Sequence, residues 1–218
     1  MIRTKNGKII IILLGDKEVG KTSILTQFSK QKFPNYYVSI IGVDFYTKKV
    51  KIENNEINYC LWDTNGEEIE NQILPLHIYQ NANAFLLVCS YDSLESCRKI
   101  PYYLNFIQPY LIRKNSKLDN INDKIPVYIL INKKDIKDKF FIKENVCSFF
   151  KDDLIYVNVI ETSARDNNNI NNLFIQISKK ILGINFIENN DFESSNNMNN
   201  NSIINLEQGK NKKCKKCC

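Results

Sequence analysis

The sequence predicts an α/β fold: a mostly parallel central sheet with helices on both faces and one antiparallel hairpin strand. Three observations carry this reading. Short runs that are apolar on both faces recur at 8–14, 84–90, 127–131 and 154–160, as strands buried on both sides require. Segments of helical spacing lie between them, the alternation of a parallel sheet. Two further strand-like stretches, 43–53 and 57–62, are joined by the turn pair Asn54-Asn55, which predicts a hairpin.

Taken in order, residues 8–14 form the first buried strand. Residues 21–30 place Ile24, Leu25 and Phe28 at helical spacing, and Phe33-Pro34 ends that helix. The hairpin follows, then the strand at 84–90. A helical pattern runs on to about residue 113, interrupted by Pro101 and Pro109. Residues 114–124 are polar and Asn-rich, an exposed loop. After the strand at 127–131, residues 142–150 have helical spacing, and 154–160 is the last strand. The helix at 171–182 carries an apolar stripe of Leu173, Phe174, Ile177, Lys180 and Ile181, and Gly183 suits its C-cap. From about residue 185 the chain turns to Asn, Ser and Glu, too poor in apolar surface to fold alone. The organisation is therefore a short tail (1–7), one folded domain (8–184) and a disordered tail (185–218).

Composition narrows the function classes. With 218 residues, 43% of them hydrophobic, the chain can bury one sizeable core. No apolar stretch approaches the ~20 residues that span a bilayer, and Met1-Ile2-Arg3-Thr4-Lys5 lacks the features of a signal peptide, so synthesis in the cytosol is expected. Of the seven cysteines, Cys60, Cys89, Cys97 and Cys147 sit in or beside apolar runs, as small buried hydrophobes do. Cys214, Cys217 and Cys218 instead crowd the last five residues among lysines. Lys210, Lys212, Lys213, Lys215 and Lys216 supply five charges of a formal net charge of +6. A cluster of this kind binds nucleic acid or an anionic membrane, or is simply solvated.

The chemistry begins at Gly15-Asp16-Lys17-Glu18-Val19-Gly20-Lys21-Thr22, which fits G-x-x-x-x-G-K-[ST] between a strand and a helix. Glycines let the backbone aim successive N–H groups at phosphate oxygens, Lys21 brings a point charge to the outer phosphates, and Thr22 offers a hydroxyl to Mg²⁺. Three more clusters fall just past expected strands. In Trp62-Asp63-Thr64-Asn65-Gly66 the aspartate can hold Mg²⁺ through water, and the glycine N–H can reach a terminal phosphate. In Asn132-Lys133-Lys134-Asp135 the Asp135 carboxylate can accept from the ring N–H and exocyclic amine of guanine, a donor pair that adenine lacks. Glu161-Thr162-Ser163-Ala164 can offer a backbone N–H to the guanine oxygen. Singly, each of the three is also ordinary turn chemistry.

Together, in order and each past a buried strand, these four motifs resemble the nucleotide-binding set of the small GTPases of the Ras superfamily. Ser39-Ile40-Ile41-Gly42-Val43-Asp44-Phe45 resembles the S-T-I-G-V-D-F segment of the Rab GTPases, without gaps from Lys21 through Asp63. The resemblance covers about 8–183 and implies a phosphate-loop NTPase fold that binds GTP or GDP with Mg²⁺. It implies nucleotide contacts from Gly15, Lys17, Glu18, Val19, Gly20, Lys21, Thr22, Ser23, Phe33, Tyr37, Gly66, Asn132, Lys133, Asp135, Ser163, Ala164 and Arg165. Phe33 takes the place of the aromatic that packs on guanine, and Tyr37 that of the tyrosine that closes over the phosphates. Hydrolysis would rest on Lys21, Gly66 and the position of Glu67. Ile41, Gly42, Val43, Asp44, Phe45 and Trp62 would face effectors. Cys217-Cys218 resembles the double geranylgeranylation signal of Rabs, and two chains beside a polybasic stretch anchor stably where one does not. A zinc site from the three terminal cysteines lacks a fourth ligand. The implied partners are an exchange factor, an activating protein, a dissociation inhibitor, an escort protein, effectors and the cytoplasmic face of an intracellular membrane. No nucleic acid is expected, and the protein is expected to be a monomer that regulates vesicle traffic.

The chain also departs from the family pattern. Ile40 stands where Rabs place a threonine whose hydroxyl binds Mg²⁺, so that metal position is lost. Glu67 stands where D-T-A-G-Q has the glutamine that orients the attacking water; it carries negative charge toward the phosphate and lacks an amide donor. Slow hydrolysis is expected. Lys17 and Glu18 replace small residues, and 69–80, which holds the only histidine, His77, does not match the Rab segment R-F-R…Y-Y-R-G. These departures also support a membrane-tethered scaffold that does not cycle. A phosphate-loop kinase for small molecules would leave Asp135 without a purpose.

Overall fold

Six consecutive apolar residues make β1 (Lys8–Gly15) the centre of the molecule. Ile9, Ile11, Ile12, Leu13 and Leu14 have no exposed surface, because β1 has parallel neighbours on both sides, β3 (Asn55–Thr64) and β4 (Ala84–Ser90). The computed structural model describes residues 8–31, 43–52, 55–66, 74–111, 124–137 and 157–183. Within these the sheet has six strands in the order β2-β3-β1-β4-β5-β6, with β2 (Val43–Ile52) at one edge and β5 (Val127–Asn132) and β6 (Val157–Glu161) completing the other half. Only β2 and β3 pair antiparallel; every other pairing is parallel. The expected fold class holds.

The hairpin corrects one detail. Ile52 pairs with Asn55, so Asn55 is the first residue of β3 and residues 53–54 lie between the strands. The apolar alternation sets this register: Ile57, Tyr59 and Leu61 face the core and are almost fully buried, and a one-residue slip would turn them outward.

The helical pattern expected to run to about residue 113 is three short pieces. α3 (Leu94–Arg98) is capped by the Ser93 hydroxyl, which accepts from the Ser96 N–H at 3.2 Å; α4 (Ile100–Ile107) and a 3₁₀ turn (Gln108–Tyr110) follow. Pro101 and Pro109 each sit in the first turn of a new piece, where proline lacks no hydrogen bond that the turn needs. The other helices among the described residues are α1 (Lys21–Lys30), the short α2 (Leu76–Gln80) and α5 (Ile170–Leu182), whose C-cap Gly183 has φ 71° as expected. Lys180 leaves the expected stripe: it is exposed, and Ile170 and Ser178 join Leu173, Phe174, Ile177 and Ile181 in the buried face.

Two cores flank the sheet. On one side α1 and α5 cover Ile9, Ile11, Leu13, Tyr59 and Leu61; on the other α2, α3 and α4 cover Ile12, Leu14, Phe85, Leu87 and Ile129. In the first, Phe28 stacks on Phe174 with ring centroids 3.7 Å apart, and Tyr59 meets Phe28 edge-on at 5.2 Å. The Tyr59 hydroxyl donates to the Phe174 carbonyl at 3.0 Å and bonds with the Ser178 hydroxyl. Burial pushes its pKa up to about 12, the Ser178 bond working against this. Tyr59→Phe should therefore cost about 1–2 kcal/mol by leaving both partners short of a bond, read as a lower urea midpoint at unchanged slope. The carboxyl ends of β1, β3, β4, β5 and β6 all open on one rim, the place where open α/β sheets hold ligands.

Candidate functional site

The phosphate-type loop is held in one shape by contacts that only glycine permits. Gly15 ends β1 at φ 152°, and a Cβ there would stand 2.2 Å from the Val88 carbonyl oxygen on β4. Gly20 has φ 96°, and its Cβ would meet the Asn132 amide nitrogen at 2.3 Å. Between them Glu18 holds φ 62°, a left-handed conformation that costs a residue with a side chain about 1 kcal/mol or more and marks a site where surroundings impose the shape. Gly20 then begins α1, whose first-turn N–H groups and dipole favour an anion. Lys21, only 4% exposed, turns its ammonium back onto the loop and donates to the carbonyls of Gly15 at 2.6 Å and Asp16 at 2.7 Å. A buried cation is thus stored at the floor of the loop.

Beside the loop, Asp63 lies fully buried near the end of β3, and the Thr64 hydroxyl locks that end by donating to the Leu13 carbonyl at 2.7 Å. Gly66 follows at φ 96°, so close to the loop that a Cβ would be 2.6 Å from the Lys17 nitrogen. Thr22 stands in the first turn of α1. Its hydroxyl and the Asp63 carboxylate are hard oxygen donors, the set that Mg²⁺ takes when phosphates and water supply the rest of its shell. Among the described residues no group of three or more His, Cys, Asp or Glu forms an all-protein metal cage.

The opposite half of the rim is built around Asn132, the last residue of β5, which is 1% exposed. Its amide nitrogen donates to the Val19 carbonyl of the loop at 2.9 Å; its oxygen accepts from the Ala164 N–H at 3.2 Å and the Thr162 hydroxyl at 3.3 Å. One side chain ties three of the four motifs together. Lys133 follows in a left-handed conformation, φ 61°. Asp135 is held at both oxygens, by the Ser163 hydroxyl at 2.6 Å and the Arg165 guanidinium at 3.4 Å. The Ser163 N–H bonds to Asn168 O within its own turn and the Ala164 N–H to Asn132.

The pairings of three acids on this rim were not anticipated from sequence. Asp92, just past β4, receives the Lys133 ammonium at 2.7 Å and the Ser90 hydroxyl at 2.6 Å. Burial raises its carboxyl, but those two donors outweigh it and hold the group below the usual carboxylate range. Glu161 accepts from the Tyr91 hydroxyl at 2.5 Å and faces Lys134 at 3.7 Å. Asp16 pairs with Lys99 at 2.8 Å. Asp92 and Tyr91 had a legible signal, since both follow a buried parallel strand and so must lie on the ligand-bearing rim; the pairings themselves had none.

On the hairpin, Phe45 and Trp62 are cross-strand partners with ring centroids 4.9 Å apart, and Phe45 is 45% exposed. Asp44 and Val43 precede them on β2, and His77 is exposed on α2. Phe33, Tyr37, Ile40, Ile41, Gly42 and Glu67 lie outside the described residues, as do Cys147, the expected helix at 142–150, residues 154–156 and both tails with Cys214, Cys217 and Cys218.

The family model described as Ras family matches residues 10–183. The GTP-binding protein ypt1 of Schizosaccharomyces pombe is 29% identical over 210 residues, 95% of each chain. The Ras-related protein RABG3c of Arabidopsis thaliana is 32% identical over 177 residues, 79% of this chain and 81% of the relative. The human Ras-related protein Rab-30 is 29% identical over 174 residues, 79% of each.

Proposed function

The chain belongs to the Ras family and, within it, to the Rab small GTPases, and from that premise we propose that it is a guanine-nucleotide switch of vesicle traffic with slow intrinsic hydrolysis. The observation that supports the reading is the Asn132 bridge, which joins the loop at Val19 to the turn at Ala164, where the neighbouring Ser163 hydroxyl donates to the Asp135 carboxylate. A ligand with phosphates at one end and a guanine-type donor pair at the other fits both halves. Lys21 would exchange its loop carbonyls for the outer phosphates, and Thr22, with Asp63 through water, would hold Mg²⁺. The Gly66 N–H would meet the terminal phosphate. Bound Mg²⁺ neutralises charge that builds on the phosphates during transfer. Effectors would read Phe45 and Trp62, and exchange, activating, inhibitory and escort proteins would act as they do on Rabs generally. Cys217 and Cys218, prenylated and flanked by the lysine cluster, would tether the protein to a cytoplasmic membrane surface. No described helix is long and apolar enough to cross a membrane.

The deciding experiment is nucleotide content of the purified protein followed by single-turnover hydrolysis with Mg²⁺. Bound guanine nucleotide and a slow release of phosphate are expected; bound adenine nucleotide, or none, would sink the reading. Glu67→Gln should speed hydrolysis by about tenfold or more, because it restores a donor and removes a repelling charge. Ile40→Thr should raise the Mg²⁺ dependence of GTP binding by restoring a ligand.

Ile40 and Glu67 also favour a second reading, a membrane-tethered scaffold that holds GDP, or nothing, and does not cycle. Phosphate release that stays at the buffer rate even with a lysate supplying activating proteins would select it.

A further inference from the structure

Asp16 is the second residue of the phosphate loop and brings a formal negative charge to a loop proposed to hold a polyphosphate. Its carboxylate is engaged at both oxygens. One accepts from the Lys17 N–H at 3.1 Å, and the other is paired with the Lys99 ammonium at 2.8 Å. Lys99 comes from elsewhere in the fold: it is the joint at which α3 ends and α4 begins, its N–H bonded to Glu95 O and its carbonyl accepting from Tyr103 N. The Asp16 carbonyl, meanwhile, is one of the two acceptors of the Lys21 ammonium. One residue therefore connects the α3–α4 joint to the cation at the floor of the loop.

We propose that Lys99 is a positioning residue that sets the lifetime of bound nucleotide, by neutralising Asp16 and holding its carboxylate on the loop. The inference rests on the guanine-nucleotide reading of this site. Two consequences follow from the geometry. Without Lys99, the Asp16 carboxylate repels the phosphates and no longer steadies the Lys17 N–H. And because the pair ties the α3–α4 joint to the loop, a partner that shifts α4 against the sheet changes the hold on nucleotide without touching it.

The pair is partly exposed, with 44% of the Lys99 side chain and 25% of the Asp16 side chain accessible, which bounds its strength to that of a surface ion pair. Lys99→Ala should speed release of fluorescent GDP about two- to fivefold at low salt. The difference should shrink toward unity near 1 M salt, where the screening length is about 3 Å. Lys99→Arg should restore the slow rate and Lys99→Met should not. In an Asp16→Asn background, Lys99→Ala should change the rate by less than about 1.5-fold, since removing one partner already removes the pair. Release from Lys99→Ala at the wild-type rate would overturn the inference, as would an equal effect of Lys99→Ala in both backgrounds or rescue by methionine, which would assign Lys99 to packing. A wild-type protein that retains no guanine nucleotide overturns the function itself; one that retains it while Lys99→Ala behaves as wild type overturns this inference alone.

Discussion

Asn132→Ala is expected to weaken guanine-nucleotide binding by about two orders of magnitude and to lower folding stability by about 3 kcal/mol. The side chain is buried and makes three bonds, to Val19 O, Ala164 N and the Thr162 hydroxyl. Truncation leaves a buried carbonyl and a buried N–H unpaired, each costing about 1–3 kcal/mol. The loss falls on both ends of the site, because the loop at Val19 and the turn at Ala164 are placed by the same amide. Asn132→Asp is the sharper variant. A carboxylate can still accept from Ala164 and Thr162, but its second oxygen faces the Val19 carbonyl, and the charge is buried without a cation among those partners. It should therefore bind nucleotide less well than the alanine variant, as measured by equilibrium titration with fluorescent GDP alongside urea melts. Equal affinities for wild type and both variants would remove Asn132 from the site.

That role of Asn132 shows where sequence reading stops. The phosphate loop was legible because its chemistry is local: just after a strand come glycines where the backbone is crowded, a lysine and a helix start, all within the eight positions 15–22. The sheet was legible for a similar reason, since runs such as 84–90 and 127–131 are buried on both faces and say so by composition. Asp135 was legible as a rim residue from its place past β5; its role as a guanine acceptor belongs to the proposed function. What the sequence did not carry was pairing across the rim. Nothing in 132 or 19 marks them as neighbours; they meet because β1, β4 and β5 lie side by side and end at the same level. The Lys133–Asp92 and Lys99–Asp16 pairs are non-local in the same way. At the other extreme, the shift of the hairpin turn by one residue reflects a local preference losing to a global one, as asparagine pairs are common in turns yet the burial of Ile57, Tyr59 and Leu61 fixes the register.

Asp135→Ala should lower affinity for GDP by about 10²–10³-fold while changing affinity for IDP, which lacks the exocyclic amine, by a smaller factor. A hydrogen bond to a charged group contributes about 1.5–3 kcal/mol, and the carboxylate can accept two from guanine but only one from hypoxanthine. Discrimination between the two bases should therefore shrink from tenfold or more toward unity. The carboxylate is well prepared for this task. Only 11% of it is accessible, and Ser163 and Arg165 hold one oxygen each, so little rotational freedom remains to be lost when a base arrives. Those same partners predict a modest structural cost: Ser163 still donates elsewhere only by reorienting, although its oxygen keeps the Asp166 N–H at 3.0 Å, and Arg165 is largely exposed and can return to water. Stability should fall by about 1 kcal/mol, well short of what would explain the affinity loss. Competition titrations with GDP and IDP separate the two effects, because a loosened fold weakens both nucleotides equally whereas a lost base contact weakens them unequally. Parallel losses would show that Asp135 supports the turn at Ser163 rather than reading the base.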